Sequence, residues 1–169
     1  EFVQGSILDV DLLTHVTKDV DGIFHLAAVV GVSYVVNNPL HGMQVNVNGT
    51  ETVLRAAMAH GCKVVMASSS EIYGKSLAVP FKEDDVSILG SSSVPRWSYA
   101  ISKLLDEHLG FAYTRQNGLP VAAVRYFNIY GPRLDPRGYG SVVAKFINQA
   151  LTGKPITIYG DGKQTHSFT

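Results

Sequence analysis

The chain predicts an α/β fold organised on a parallel sheet, and three features carry that prediction. Short continuous apolar runs alternate along the chain with longer stretches whose apolar residues recur at helical spacing. The runs lack in–out alternation, which suits strands covered on both faces, as in a parallel sheet. Polar clusters follow two of these runs directly, at Ser68–Glu71 and at Asn128. Strand, polar cluster, helix is the order of βα repeats, and ligands in such sheets bind beyond the carboxyl ends of the strands.

Taken in order, Phe2-Val3 reads as a short strand and Asp11–Val16 as a short helix capped by Asp9 or Asp11. Gly22–Val30 is a continuous apolar strand. A loop through Asn37-Asn38-Pro39 leads to a helix over Met43–His60, with Val53, Leu54, Ala57 and Met58 as its inner stripe and Gly61 as its stop. Lys63–Ala67 is the next strand, and the Ser-rich Pro80–Pro95 an irregular excursion. The helix at Tyr99–Gln116 sets Ile101, Leu104, Leu105, Leu109 and Ala112 on one face. Tyr99 and Lys103 fall on the other, outside the core. Gly118 ends it, Val121–Phe127 is a further strand, Gly131–Gly140 a loop, Val142–Leu151 a helix and Ile156–Tyr159 a last strand.

The bulk composition narrows the function classes. Apolar residues make up 46% of 169 positions, enough for a sizeable core, and the formal net charge is zero. With no basic stripe, neither nucleic acid nor an anionic membrane is the expected partner, and no apolar run is long enough to span a bilayer. The lone Cys62 excludes an internal disulfide and fits a reducing, cytoplasmic setting; beside Gly61 it reads as structural. The histidines have no metal-ligand spacing, so no metal is expected. The chain starts in mid-strand without Met and stops without a closing element, which reads as an internal piece of a longer protein.

The chemistry centres on Tyr99-Ala100-Ile101-Ser102-Lys103. A spacing of four puts both side chains on one helix face, about 6 Å apart at Cβ. Bringing a phenol from its reference pKa to about 6–7 needs roughly 4–5 kcal/mol of phenolate stabilisation, and a neighbouring lysine with a second cation supplies that kind of field. Spacing alone does not choose the pair, because Tyr159 and Lys163 repeat it. That second pair straddles Gly160 and Gly162 in a turn-like run, where no helix aligns it.

Six motifs together resemble the extended short-chain dehydrogenase/reductase superfamily, in its NAD-dependent nucleotide-sugar epimerase, dehydratase and decarboxylase branch. They are His25-Leu26-Ala27-Ala28, Asn46-Val47-Asn48-Gly49-Thr50, Ser68–Gly74, Tyr99–Lys103, Arg125–Arg133 and Gly160–Gln164. The resemblance implies a Rossmann-like, doubly wound parallel sheet. It also implies that the chain lacks the first βαβ unit with its glycine-rich phosphate loop and most of the C-terminal substrate lobe. Residues 1–169 would then be a partial NAD-binding domain, with 132–169 opening the substrate-binding part.

The same resemblance assigns roles. Tyr99 would be the acid/base on a sugar hydroxyl, Lys103 would lower its pKa and bind the nicotinamide ribose, and Ser69 would hydrogen-bond the same hydroxyl. Ile7, Leu26, Ala27, Ala28, Asn46 and Phe127 would line the NAD, while Ser70, Asn128 and His166 would face the nucleotide-sugar, a UDP-sugar. Glu71 would assist a step after a 4-keto intermediate; as a residue, it reads equally as a capping or solvated glutamate. The implied activity is epimerisation, with decarboxylation or dehydration as alternatives and a non-catalytic dinucleotide sensor as the alternative of another class. A homodimer built partly through the Tyr99 helix is implied as well. Three positions depart from the family pattern: Ser70 is not acidic, Ser6 stands where an adenine-binding acid is expected, and His166 replaces an arginine.

Overall fold

The computed structural model describes residues 1–134, 136 and 142–169. Its elements are α1 (Val10–Val16), β1 (Gly22–His25), α2 (Val32–Asn37), α3 (Pro39–His60), β2 (Lys63–Ser69), a 3-10 turn at Ser70–Tyr73, α4 (Trp97–Asn117), β3 (Val121–Tyr126) and α5 (Val142–Leu151). The strands form one parallel sheet in the order β1-β2-β3, with Gly22 beside Lys63 and Val64 beside Val121.

Local chemistry accounts for most boundaries. Asp9 caps α1, its carboxylate accepting from the Leu12 amide at 3.0 Å. Pro39 occupies the first turn of α3, where a missing N–H costs nothing. Gly61 and Gly118 end α3 and α4 in left-handed conformations, with φ of 69° and 72°. The core gathers Leu54 and Ala57 of α3, Cys62, Val64 and Met66 of β2, and Leu119. Cys62 is fully buried, with its thiol 3.2 Å from the Val20 carbonyl, as a structural cysteine should be.

Several expectations are corrected. Phe2-Val3 and Ile156–Tyr159 are not strands: neither has a described partner, and a lone extended segment leaves its ladder groups unpaired. The strand expected to reach Val30 ends at His25, and the residues beyond it leave the sheet for α2. The helix expected from Met43 begins at Pro39. Met58, placed in the inner stripe of α3, is 43% exposed, whereas Val53, Leu54 and Ala57 are buried. Part of the loop expected at 131–140, residues 135 and 137–140, lies outside the described residues.

The largest correction concerns α4. Its buried face is Ser98, Ala100, Ser102, Lys103, Asp106, Glu107 and Gly110, while Leu105 of the expected apolar face is 40% exposed. Small residues let α4 lie close on the sheet, Gly110 backing onto Met66 and Val121. The charged residues of that face are tolerated because they are paired. Lys103 meets Asp106 at 3.2 Å, and Glu107 meets Arg125 of β3 at 2.8 Å.

One sheet face, carrying Ile23, Val64, Met66, Val121 and Ala123, packs under α3 and α4. The other carries Phe24, 76% exposed, with Val124 and Tyr126 at 39% and 38%. β1 and β3 are therefore not covered on both faces among the described residues. No helix of the described residues is long and apolar enough to cross a membrane.

Candidate active site

The carboxyl ends of β2 and β3, the residues after β1 and the start of α4 converge on one cleft of about 280 Å³. It is lined by Val30, Gly31, Val32, Val35, Ser69, Glu71, Arg96, Tyr99 and Asn128. Each is delivered by a chain feature. Ser69 ends β2 and caps the 3-10 turn, its hydroxyl accepting from the Glu71 amide at 3.2 Å. That turn swings the Glu71 carboxylate into the cleft. Tyr99 lies in the first turn of α4, and Arg96 immediately precedes that helix. Asn128 follows β3 and is anchored by its side-chain amide, which donates to the Ser167 carbonyl at 3.0 Å.

Of the residues expected at a catalytic site, Ser69, Glu71 and Tyr99 are brought together here. Lys103 sits one turn further along α4, only 3% exposed, with its ammonium held by Asp106. The Tyr99 pKa lies on the other side of its ordinary value from the one expected with NAD bound. Burial raises its pKa above the ordinary phenol value, a Ser69 side-chain hydrogen bond pulls it back, and the Glu71 and Asp106 carboxylates push it up again. The Lys103 ammonium is not among the groups that shift it here, and its hydrogen bond goes to Asp106. Burial also raises the Asp106 carboxyl against the pull of Lys103, and its Oδ1 has no partner among the described residues.

The expected cofactor residues divide. Leu26, 60% exposed, Ala27 and Ala28 follow β1 at the sheet's carboxyl edge, and Ala28 shares a shallow pocket with Val29, Val30 and Tyr34. Asn46 is 1% exposed and fully engaged: Oδ1 accepts from the Val29 amide at 2.7 Å, and Nδ2 donates to Val29 and Ser102 oxygens, each at 3.2 Å. It holds the 26–30 segment in place instead of offering its own amide. Ile7 packs against Gly49 near α1, away from the cleft. Phe127 lines a different pocket with Tyr73 and Phe81, its ring centroid 6.2 Å from that of Phe81. Ser70 opens the 3-10 turn without lining the cleft, and His166 is exposed beside Phe168.

Two features escaped the sequence reading. Arg96 in the cleft was signalled only by a cation three residues before Tyr99. Asp106 was signalled by its i,i+3 spacing from Lys103, which brings the two together on a helix. Trp97 packs its indole against Gly90 and does not line the cleft, so it anchors the 80–95 excursion. No cluster of metal-ligating side chains occurs among the described residues.

His25 is 5% exposed, its Nε2 3.0 Å from the Thr50 hydroxyl. Burial, helped by the Lys103 charge, lowers its pKa from 6.5 to about 4. The folded state therefore binds the proton more weakly than the unfolded chain. Its stabilising effect is complete above about pH 6.5 and is lost as pH falls towards about 4, on the order of 3 kcal/mol in all. Urea midpoints measured across that window are expected to fall with acid, and His25→Gln to flatten the slope. An unaltered slope in the variant would assign the acid sensitivity elsewhere.

Comparison with known proteins bears on this geometry. The chain is 46% identical over 164 residues to the UDP-N-acetyl-alpha-D-glucosaminuronate decarboxylase of Bacillus cytotoxicus, covering 97% of this chain and 50% of that protein. Among solved structures, the UDP-glucose 4-epimerase of Thermotoga maritima with UDP-glucose superposes with a TM-score of 0.90 at 30% identity, over 99% of this chain and 54% of that one. The UDP-glucuronic acid 4-epimerase of Bacillus cereus, in complex with UDP-glucuronic acid and NAD, superposes at 0.85 and 32% identity, over 100% and 51%. The fold is thus Rossmann-like, and the chain spans about half the length of these relatives. The match to the family's sequence profile runs over residues 1–169, and the chain belongs to the NAD dependent epimerase/dehydratase family.

Proposed function

We propose that the protein containing this chain is an NAD-dependent UDP-sugar 4-epimerase, with Tyr99 exchanging the proton of the sugar's 4-hydroxyl. The observation that carries this reading is the convergence of Tyr99, Ser69 and Asn128 on one strand-end cleft. Bound NAD would supply the hydride acceptor and, later, the donor. Leu26–Ala28 would lie along it, and the Lys103 ammonium, which has one partner among the described residues for three N–H groups, has donors left for the ribose. Ser69 orients the hydroxyl, Tyr99 takes its proton as hydride leaves C4, and Tyr99 returns the proton when hydride comes back to the opposite face. Residues 1–169 form part of the NAD-binding domain, with 132–169 beginning the substrate part. The protein acts in the cytoplasm as a homodimer, for which the exposed Leu105 and Phe111 of α4 offer an apolar surface.

Decarboxylation of a UDP-uronate is the second reading. It is favoured by the Glu71 carboxylate in the cleft, held 3.8 Å from Arg96, and by the 46% identity to a decarboxylase. Incubating the full-length protein with NAD and either UDP-glucose or UDP-glucuronate, then identifying products by NMR, separates the two. A C4 epimer supports the first reading and a pentose nucleotide with released carbon dioxide the second; turnover of neither substrate overturns both.

A further inference from the structure

Among the described residues lining the cleft, Arg96 is the only cation and Glu71 the only carboxylate. Their contact is loose: 3.8 Å between Arg96 Nη1 and Glu71 Oε2, with side chains 49% and 32% exposed. An exposed pair at that separation adds little stability and is readily exchanged. The guanidinium also lies 6.0 Å from the Trp97 ring centroid, at the outer limit of a cation–π contact. Trp97 is in turn fixed against Gly90. Arg96 thus lines the cleft together with Ser69 and Tyr99, and its ion-pair partner among the described residues is Glu71 at 3.8 Å.

We propose that Arg96 is a specificity-determining residue that binds a carboxylate on the sugar, so that the substrate class is a nucleotide-linked uronate. The inference rests on the reading above that the cleft accepts a nucleotide-sugar. A neutral sugar needs no cation at this place. A uronate brings a second negative charge next to Glu71, and two carboxylates within a few ångströms repel unless a cation lies between them. Arg96 is that cation. A guanidinium matches a carboxylate through two parallel N–H···O bonds, which an ammonium cannot do. When the substrate carboxylate takes the fork, Glu71 keeps a cation as its neighbour beside the reacting sugar. This assignment is compatible with either epimerisation or decarboxylation as the second chemical step.

The test is calorimetric titration of the NAD-loaded full-length protein with UDP-glucuronate and with UDP-glucose, for the parent, Arg96→Gln and Arg96→Lys. The quantity read is the ratio of the two dissociation constants, uronate over neutral sugar. Arg96→Gln is expected to raise it about tenfold by removing a charge-assisted bidentate contact. Arg96→Lys, which keeps the charge but not the fork, is expected to fall between that and the parent. A rise of threefold or more in Arg96→Gln supports the assignment. A smaller one overturns it while leaving the nucleotide-sugar reading intact. A parent protein that binds neither ligand overturns that reading and this inference together.

Discussion

Tyr99→Phe in the full-length protein is expected to cost about 10²–10⁴-fold in kcat, the usual range for removing a general acid–base group, with NAD still bound. The ring stays, so the packing of the first turn of α4 stays, and only the hydroxyl that shares the cleft with Ser69 is removed. The position is demanding because burial and two carboxylates hold the Tyr99 pKa above its ordinary value. Taking a proton therefore requires a cation brought to the phenol, and Lys103, buried one turn away on Asp106, is placed to serve if that pair loosens. Steady-state rates together with NAD titration check the result. Full turnover in the variant would remove Tyr99 from the mechanism, and lost NAD binding would make the role structural.

The second large effect is on stability. Glu107→Ala is expected to destabilise the fold by roughly 3 kcal/mol, as breaking a buried ion pair from one side does. Glu107 is 4% exposed and engages both Nε and Nη2 of Arg125, at 2.9 and 2.8 Å. The same guanidinium binds the Tyr73 hydroxyl at 3.0 Å and the Glu83 carbonyl at 2.6 Å. One cation thus ties together α4, β3, the 3-10 turn that carries Glu71, and the 80–95 excursion. The Glu107 carboxyl, although burial pushes it up, is held below its usual range by its hydrogen bonds from Arg125. Urea unfolding of parent, Glu107→Ala and Glu107→Gln gives the measurement. Glu107→Gln keeps an acceptor and should lose less, and two variants with parental midpoints would show that the pair carries no stability.

Much of this fold was legible from local chemistry. The Asp9 cap, the Gly61 and Gly118 stops, the parallel sheet and the strand-end position of Ser69, Glu71 and Asn128 all follow from rules that act over a few residues. The errors share a different origin. The face of α4 was assigned by apolarity, on which Lys103 belongs to solvent, yet Lys103 is buried because Asp106 neutralises it and small residues draw the helix close. The Asn46 amide is engaged by the backbone of Val29, seventeen residues before it, and by Ser102, partners that no local rule names.

Phe127 and Asn128 adjoin in sequence, yet they face different pockets, since successive residues leaving a strand point to opposite sides. By itself, then, the sequence determined the class of fold, the order of its elements and the tyrosine, serine and glutamate that share a cleft, because periodicity and strand-end position are local properties. Which charges are buried, where Lys103 spends its own, and that Arg96 enters the cleft beside Glu71 were decided only in the tertiary structure. Electrostatic partners are chosen by distance in space, and residues far apart in the chain supply them.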